Sequence, residues 1–118
     1  MPSTISFRQG DIVLVPFPFT DLSAVKQRPG LVISPDRLND RRPDLVVVAI
    51  TSRILATLSE DEVRLPDAEL AACGLLKPSI VKVGKIFTIH QGLIRKRLGH
   101  LPQRTLEEIR RKVLESLR

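Results

Sequence analysis

The sequence predicts a mainly β domain, α+β in detail: a small, twisted, partly open barrel with a short helix and a C-terminal amphipathic helix. Three observations carry that expectation. Short runs rich in Val and Ile recur at Ile12–Val15, Leu31–Ile33, Leu45–Ile50 and Ile80–Ile89, each bounded by turn formers or charges. Only one long stretch, at the C-terminus, repeats its apolar residues at helical period. The 118 residues suffice for one hydrophobic core and not two, so residues 1–118 are expected to form one domain. An antiparallel sheet of this size must hide its edges, and closure or dimerisation does that.

The elements follow in order. Met1 to Gln9 is a polar entry, and Gly10-Asp11 is a turn leading into Ile12-Val13-Leu14-Val15. Pro16 and Pro18 are expected to end that strand at a sheet edge or bulge, because neither donates a ladder hydrogen bond. Thr20 to Arg28 reads as a polar loop ending in the donor cluster Lys26-Gln27-Arg28, before the second strand at Leu31-Val32-Ile33. Pro35–Arg42, PDRLNDRR, reads as an exposed connection. Leu45–Ile50 is continuously apolar, as in a strand buried on both faces, and it ends in Thr51-Ser52-Arg53.

Glu62-Val63-Arg64-Leu65 alternates like a half-exposed strand ended by Pro66. Asp67 to Gly74 reads as a short helix with a terminating glycine. Ile80 to Ile89 is strand-like with Gly84 in its middle, which marks a bulge. A bulge there puts Val81, Val83 and Ile86 on one face and Lys82, Lys85 and Phe87 on the other. A short last strand is expected within Leu93–Leu101. In the terminal helix Thr105 and Glu108 have capping-box spacing, and Leu106, Ile109, Val113 and Leu117 form the apolar stripe. Glu107–Arg111 and Glu108–Lys112 have the orientation of favourable i,i+4 pairs.

Composition bounds the function. Apolar residues make up 42% and charged residues 27%, as in a globular soluble protein. No apolar run is long enough to cross a bilayer and no secretory signal is expected at the N-terminus, so no membrane partner is expected. A single cysteine, Cys73, excludes an internal disulfide and suits a reducing cytoplasm. The net charge of +6 attracts polyanions, nucleic acid first, although part of the excess belongs to a solvated helix face.

Metal chemistry and cofactors are not expected. His90 and His100 have no acidic cluster at ligand spacing, and Glu60-Asp61-Glu62 reads as a solvated turn. Asp67 and Glu69 serve a helix N-terminus, and Cys73 reads as packing. What remains is Arg28 with Thr51 and Ser52. By spacing alone Arg28 is an ordinary loop cation, and Thr51-Ser52 a strand end whose hydroxyls bond to backbone.

A resemblance shifts that weighting. GDIVLVPFPFTDLSAVKQRPGLVIS, then VVVAITSR, then GLLKPSIVKVGKIFTI, in that order, resembles the MazF/PemK toxins of toxin–antitoxin systems. The resemblance runs from Gly10 to the terminal helix. It implies an SH3-like barrel, a homodimer, and a metal-independent endoribonuclease (an mRNA interferase) that cuts single-stranded RNA and is neutralised by a cognate antitoxin with an acidic, partly disordered tail. It also implies that the catalytic residues are Arg28 and Thr51, with Ser52 as neighbour. Gly84 departs from the pattern, standing where a polar or acidic residue is expected.

The chemistry can be argued without the name. RNA carries its own nucleophile, the 2′-hydroxyl, so the protein needs to orient it and stabilise a more negative phosphorane. Arg28 offers a planar fork of donors that stays charged, which suits an electrostatic stabiliser, with acid catalysis as a second possibility. Thr51 is expected to bond a phosphoryl oxygen or position the attacking hydroxyl. Phe17 and Phe19 are expected to stack bases or else to pack the core, and Thr20, Lys26, Gln27 and Lys82 are the further RNA contacts expected. The alternative is a non-catalytic toxin or regulator of the same fold that binds a DNA-handling enzyme or nucleic acid.

Overall fold

A computed structural model describes residues 6–17, 26–54 and 57–118. Six strands form one antiparallel sheet: β1 (Asp11–Phe17), β2 (Lys26–Val32), β3 (Asp44–Thr51), β4 (Glu62–Arg64), β5 (Ile80–His90) and β6 (Lys96–His100). Their order is β4-β5-β3-β2-β1-β6, so the sheet is open, with β4 and β6 as its edges. Among the described residues three α-helices accompany it: α1 (Asp36–Asn39), α2 (Leu70–Cys73) and α3 (Gln103–Ser116). The expectation of a mainly β, partly open structure holds.

The apolar strands explain the layering. Side chains alternate between sheet faces, and here both alternating sets are apolar. Ile12, Leu31, Val48, Ile50, Val81 and Val83 pack on one face beneath Leu106, Ile109 and Val113 of α3. Val13, Val15, Val32, Leu45, Val47 and Ala49 form a second cluster on the opposite face with Ile89, Phe7, Phe87 and Ile94. β3 supplies both, as its unbroken apolar run foretold. Burying one such Ile or Leu stabilises the fold by about 1.5–3 kcal/mol.

Several local expectations are corrected. β1 does not end at Pro16 but runs to Phe17, because only β2 pairs with it there: β6 covers Asp11 to Leu14 and no further. A proline is tolerated where the strand has one neighbour. β2 likewise begins at Lys26, so Arg28 lies in a strand, opposite Val15, and not in a loop. Pro35–Arg42 contains the one-turn α1, and its Asn39 is buried. Asn39 donates from Nδ2 to the Phe7 and Ser34 carbonyls at 3.1 and 3.0 Å, and Ser34 Oγ donates to its Oδ1 at 2.6 Å.

At β5 the expected bulge is large: Val48 opposes Ile86 while the next residue, Ala49, opposes Lys82. Val81 and Val83 face the helix side and Phe87 the other, as the pattern required. α2 follows a 3₁₀ turn over Asp67–Glu69 and ends at Gly74, whose φ of 72° suits a residue without a Cβ.

In α3 the capping box does not form. The N-cap is Pro102, and Thr105 is buried in the first turn, donating to the Glu69 carboxylate at 2.7 and 2.9 Å. Glu69 therefore lies at a helix N-terminus, but that of α3. Leu117 leaves the stripe: it is the C-cap and 72% exposed. Glu107 pairs with Arg110 at 2.8 Å, and Lys112 donates to the Glu60 carbonyl at 2.9 Å.

Candidate active site

The site is built on the second face of the sheet, at the end where β1, β2 and β3 stop. Gly30 opposes Ala49, Leu31 opposes Val48 and Val32 opposes Val47. Pro29, next along β2, has no N–H to extend that ladder. Continued two residues beyond the last paired position, that register would bring Arg28 opposite Thr51, on the face that carries Val32, Val47 and Ala49.

The electrostatics of this row differ from those of the rest of the sheet. Arg28 is exposed and, among the described residues, has no carboxylate partner. Thr51 is half-buried, and its Oγ1 accepts the Arg53 backbone N–H at 3.1 Å. Lys26, two residues before Arg28, is exposed on the same face, opposite Phe17. Such a row offers a guanidinium and a hydroxyl to an anion arriving from solvent.

Other expected residues are placed less favourably. Gln27 alternates to the opposite face from Arg28, opposite Pro16. Ser52 is exposed just beyond β3. Phe19 and Thr20 lie outside the described residues, as does the side chain of Phe17.

Lys82 opposes Ala49, one row from Thr51 and on its face, but its ammonium is engaged. It meets Glu62, directly opposite on β4, at 3.3 Å, with side chains 31% and 11% exposed respectively. The Ser59 N–H donates to Glu62 at 2.9 Å. That bond first, and Lys82 with it, hold the Glu62 carboxyl below its ordinary value against the opposing pull of burial. The Glu60–Glu62 segment is therefore not simply a solvated turn.

Sequence reasoning missed this pair, although the alternation at Glu62-Val63-Arg64 signalled which face Glu62 would take. It also missed Asp61. A Cβ on Gly84 would come within 2.4 Å of Asp61 Oδ2, so the glycine leaves room for the Asp61 carboxylate. Cys73 is buried, and burial, with the Glu69 charge, pushes its thiol up to about 11, which suits packing and not nucleophilic work. Among the described residues no three His, Cys, Asp or Glu side chains come together as a ligand group, and no helix is long and apolar enough to cross a membrane.

The fold is one that solved MazF structures share. MazF from Deinococcus radiodurans in its complex with MazE is 24% identical, with a TM-score of 0.77 over 97% of each chain. MazF alone from that organism is 25% identical, with a TM-score of 0.75 over 97% of this chain and 98% of that one. A mycobacterial endoribonuclease, in complex with its cognate antitoxin, is 17% identical with a TM-score of 0.74 over 93% of each chain. No protein with a curated description matches. The chain belongs to the PemK-like, MazF-like toxin family of type II toxin–antitoxin systems, whose pattern matches residues 8–117.

Proposed function

We propose that this toxin is a metal-independent endoribonuclease that cleaves single-stranded RNA, mRNA above all, through the substrate's own 2′-hydroxyl. The observation that supports the reading is the β2–β3 register, paired as far as Gly30 and Ala49, whose continuation by two residues would bring Arg28 opposite Thr51. The 2′-oxygen attacks the adjacent phosphorus, a P–O bond forms, and the bond to the 5′-oxygen breaks. One proton leaves the 2′-hydroxyl and one reaches the 5′-oxygen, so no water is consumed. The products are a 2′,3′-cyclic phosphate and a 5′-hydroxyl.

Arg28 stabilises the charge that grows on the phosphorane, using a fork that matches two phosphoryl oxygens. Its lack of a carboxylate partner among the described residues supports this role, since a neutralised guanidinium would contribute less. Thr51 contacts the same phosphoryl group. Lys26 and Lys82 bind flanking phosphates, the latter at the expense of its bond to Glu62, and Ser52, exposed just beyond β3, is a further RNA contact. The protein acts in the cytoplasm as a homodimer and is held inactive by an acidic antitoxin segment suited to its net charge of +6. The antitoxin-bound state of two structural neighbours supports that partner.

The test is an RNA oligonucleotide carrying a single 2′-deoxy sugar just before the scissile bond, assayed in EDTA. It should bind nearly as well as the all-ribose strand, because phosphates and stacked bases supply the affinity, and should remain uncut at that bond. Cleavage at the modified bond would mean that water attacks instead. No cleavage of any RNA would favour the binding-toxin alternative.

A further inference from the structure

The β4 edge of the candidate face carries a cation that the reading above does not use. Val63 joins Ile50 and Val81, its neighbours in one row of the sheet, on the side covered by α3. Glu62 and Arg64 therefore take the opposite face. Glu62 completes the row of Ala49 and Lys82, and Arg64 completes the row of Thr51 and Ile80. Thr51 and Arg64 are thus two strands apart on one face, about 10 Å between their Cα atoms. The side chain between them, Ile80, is buried.

The backbone that carries Arg64 is fixed. It pairs with Ile80, and the next residue, the buried Leu65, donates its N–H to the Ser79 carbonyl at 3.0 Å. The guanidinium itself is loosely held. Asp67, three residues on, stands 3.7 Å away, beyond hydrogen-bonding distance, and the two side chains are 45% and 74% exposed. An exposed pair of this kind contributes little and is screened by salt. Lys82 sits closer to its partner, 3.3 Å from Glu62, in a more buried pair. Of the two cations at this end of the face, Arg64 is the one a phosphate displaces more easily.

Resting on the nuclease reading above, we infer that Arg64 is a second RNA-binding arginine, which exchanges Asp67 for a phosphate neighbouring the scissile one on the β4 side of the site. Its planar fork matches two non-bridging oxygens and reads no base. No bond is made or broken there, and the contact is the same before and during cleavage, so it raises affinity and leaves kcat alone. An acidic peptide is the rival occupant. The shared row with Thr51 favours RNA, because one strand then meets both residues with successive phosphates.

The probe is the oligonucleotide with the single 2′-deoxy sugar, which binds without being cut. Its Kd is measured over a range of salt for wild type, Arg64→Ala and Asp67→Asn. Arg64→Ala should weaken binding by about five- to tenfold. It should also flatten the plot of log Kd against log salt by about 0.7, the share of one phosphate on a single strand. Asp67→Asn should tighten binding, because the competing carboxylate is gone. On the all-ribose strand Arg64→Ala should raise KM with kcat held. Neutral methylphosphonates, placed one at a time beside the scissile bond, then locate the contact. One position should weaken wild type and leave Arg64→Ala unaffected.

Unchanged affinity and salt slope in Arg64→Ala, weaker binding by Asp67→Asn, or no position whose penalty Arg64→Ala abolishes overturns the inference. Wild type that binds the probe yet cuts no RNA would overturn the nuclease reading, while the methylphosphonate series would still judge Arg64. Failure of wild type to bind the probe overturns both.

Discussion

At one end of the β1–β2 pair a carboxylate, Asp11, is buried to 4% exposure among its donors. It accepts the Arg8 N–H at 2.8 Å and Arg97 Nε at 2.9 Å, and meets His100 Nδ1 at 2.8 Å. At the other end Arg28 is exposed and faces no carboxylate among the described residues. Both are single charges on neighbouring strands, yet they are used differently. Asp11 ties the turn before β1 and the edge strand β6 to the sheet, so its electrostatic energy is committed to the folded state. Arg28 leaves its donors turned to solvent.

If that contrast is right, the two residues fail differently. Arg28→Ala should lower single-turnover cleavage by about 10²–10³, the loss of one donor to a developing charge, or ~3–4 kcal/mol. Its urea unfolding free energy should stay within about 0.5 kcal/mol of wild type, as for an exposed position without committed partners. A marked loss of stability in Arg28→Ala would erase the distinction. Asp11→Ala should do the reverse: unfolding in urea should show a loss of about 2–3 kcal/mol from the broken charge-assisted bonds. The rate per folded molecule should be unchanged, and a fall in that rate would make Asp11 part of the site.

The smallest expected effect sharpens the comparison at an intermediate case. Glu62 lies on the candidate face like Arg28 but is satisfied internally like Asp11, by Ser59 and Lys82. Its folded pKa is lowered from the ordinary 4.5, so it contributes stability above that value and loses it as pH falls through the folded one. Urea titrations of wild type and Glu62→Gln should therefore differ most near neutral pH and converge as pH falls through the carboxylate range. A difference that persists unchanged in acid would assign the loss to shape and not to charge. Cleavage by Glu62→Gln should fall far less than in Arg28→Ala.

The legibility of these features in the sequence was uneven, for physical reasons. β3 was plain because Val47, Val48, Ala49 and Ile50 are apolar on both faces and all four are buried. α3 was plain from Leu106, Ile109 and Val113, yet periodicity alone added Leu117, which lies past the last turn where nothing covers it. Lys26-Gln27-Arg28 looked like a loop because it is polar and precedes a proline. Pairing with Pro16 and Phe17, a tertiary fact, makes it a strand. Asn39 is buried only because Ser34 and the Phe7 carbonyl meet it, and nothing in PDRLNDRR announces them. Arg28 and Thr51 were nominated by resemblance, and the strand register that would align them is one no local pattern encodes.

That Arg28 rides on a strand has a thermodynamic side. The backbone from Lys26 to Val32 is ordered by β1 when the chain folds, so its conformational entropy is lost then and not when a ligand arrives. A cation on an unordered loop would meet the ordering cost at every encounter with substrate. Here the guanidinium's base is already in place before any ligand binds, held by the pairing of β2 with β1.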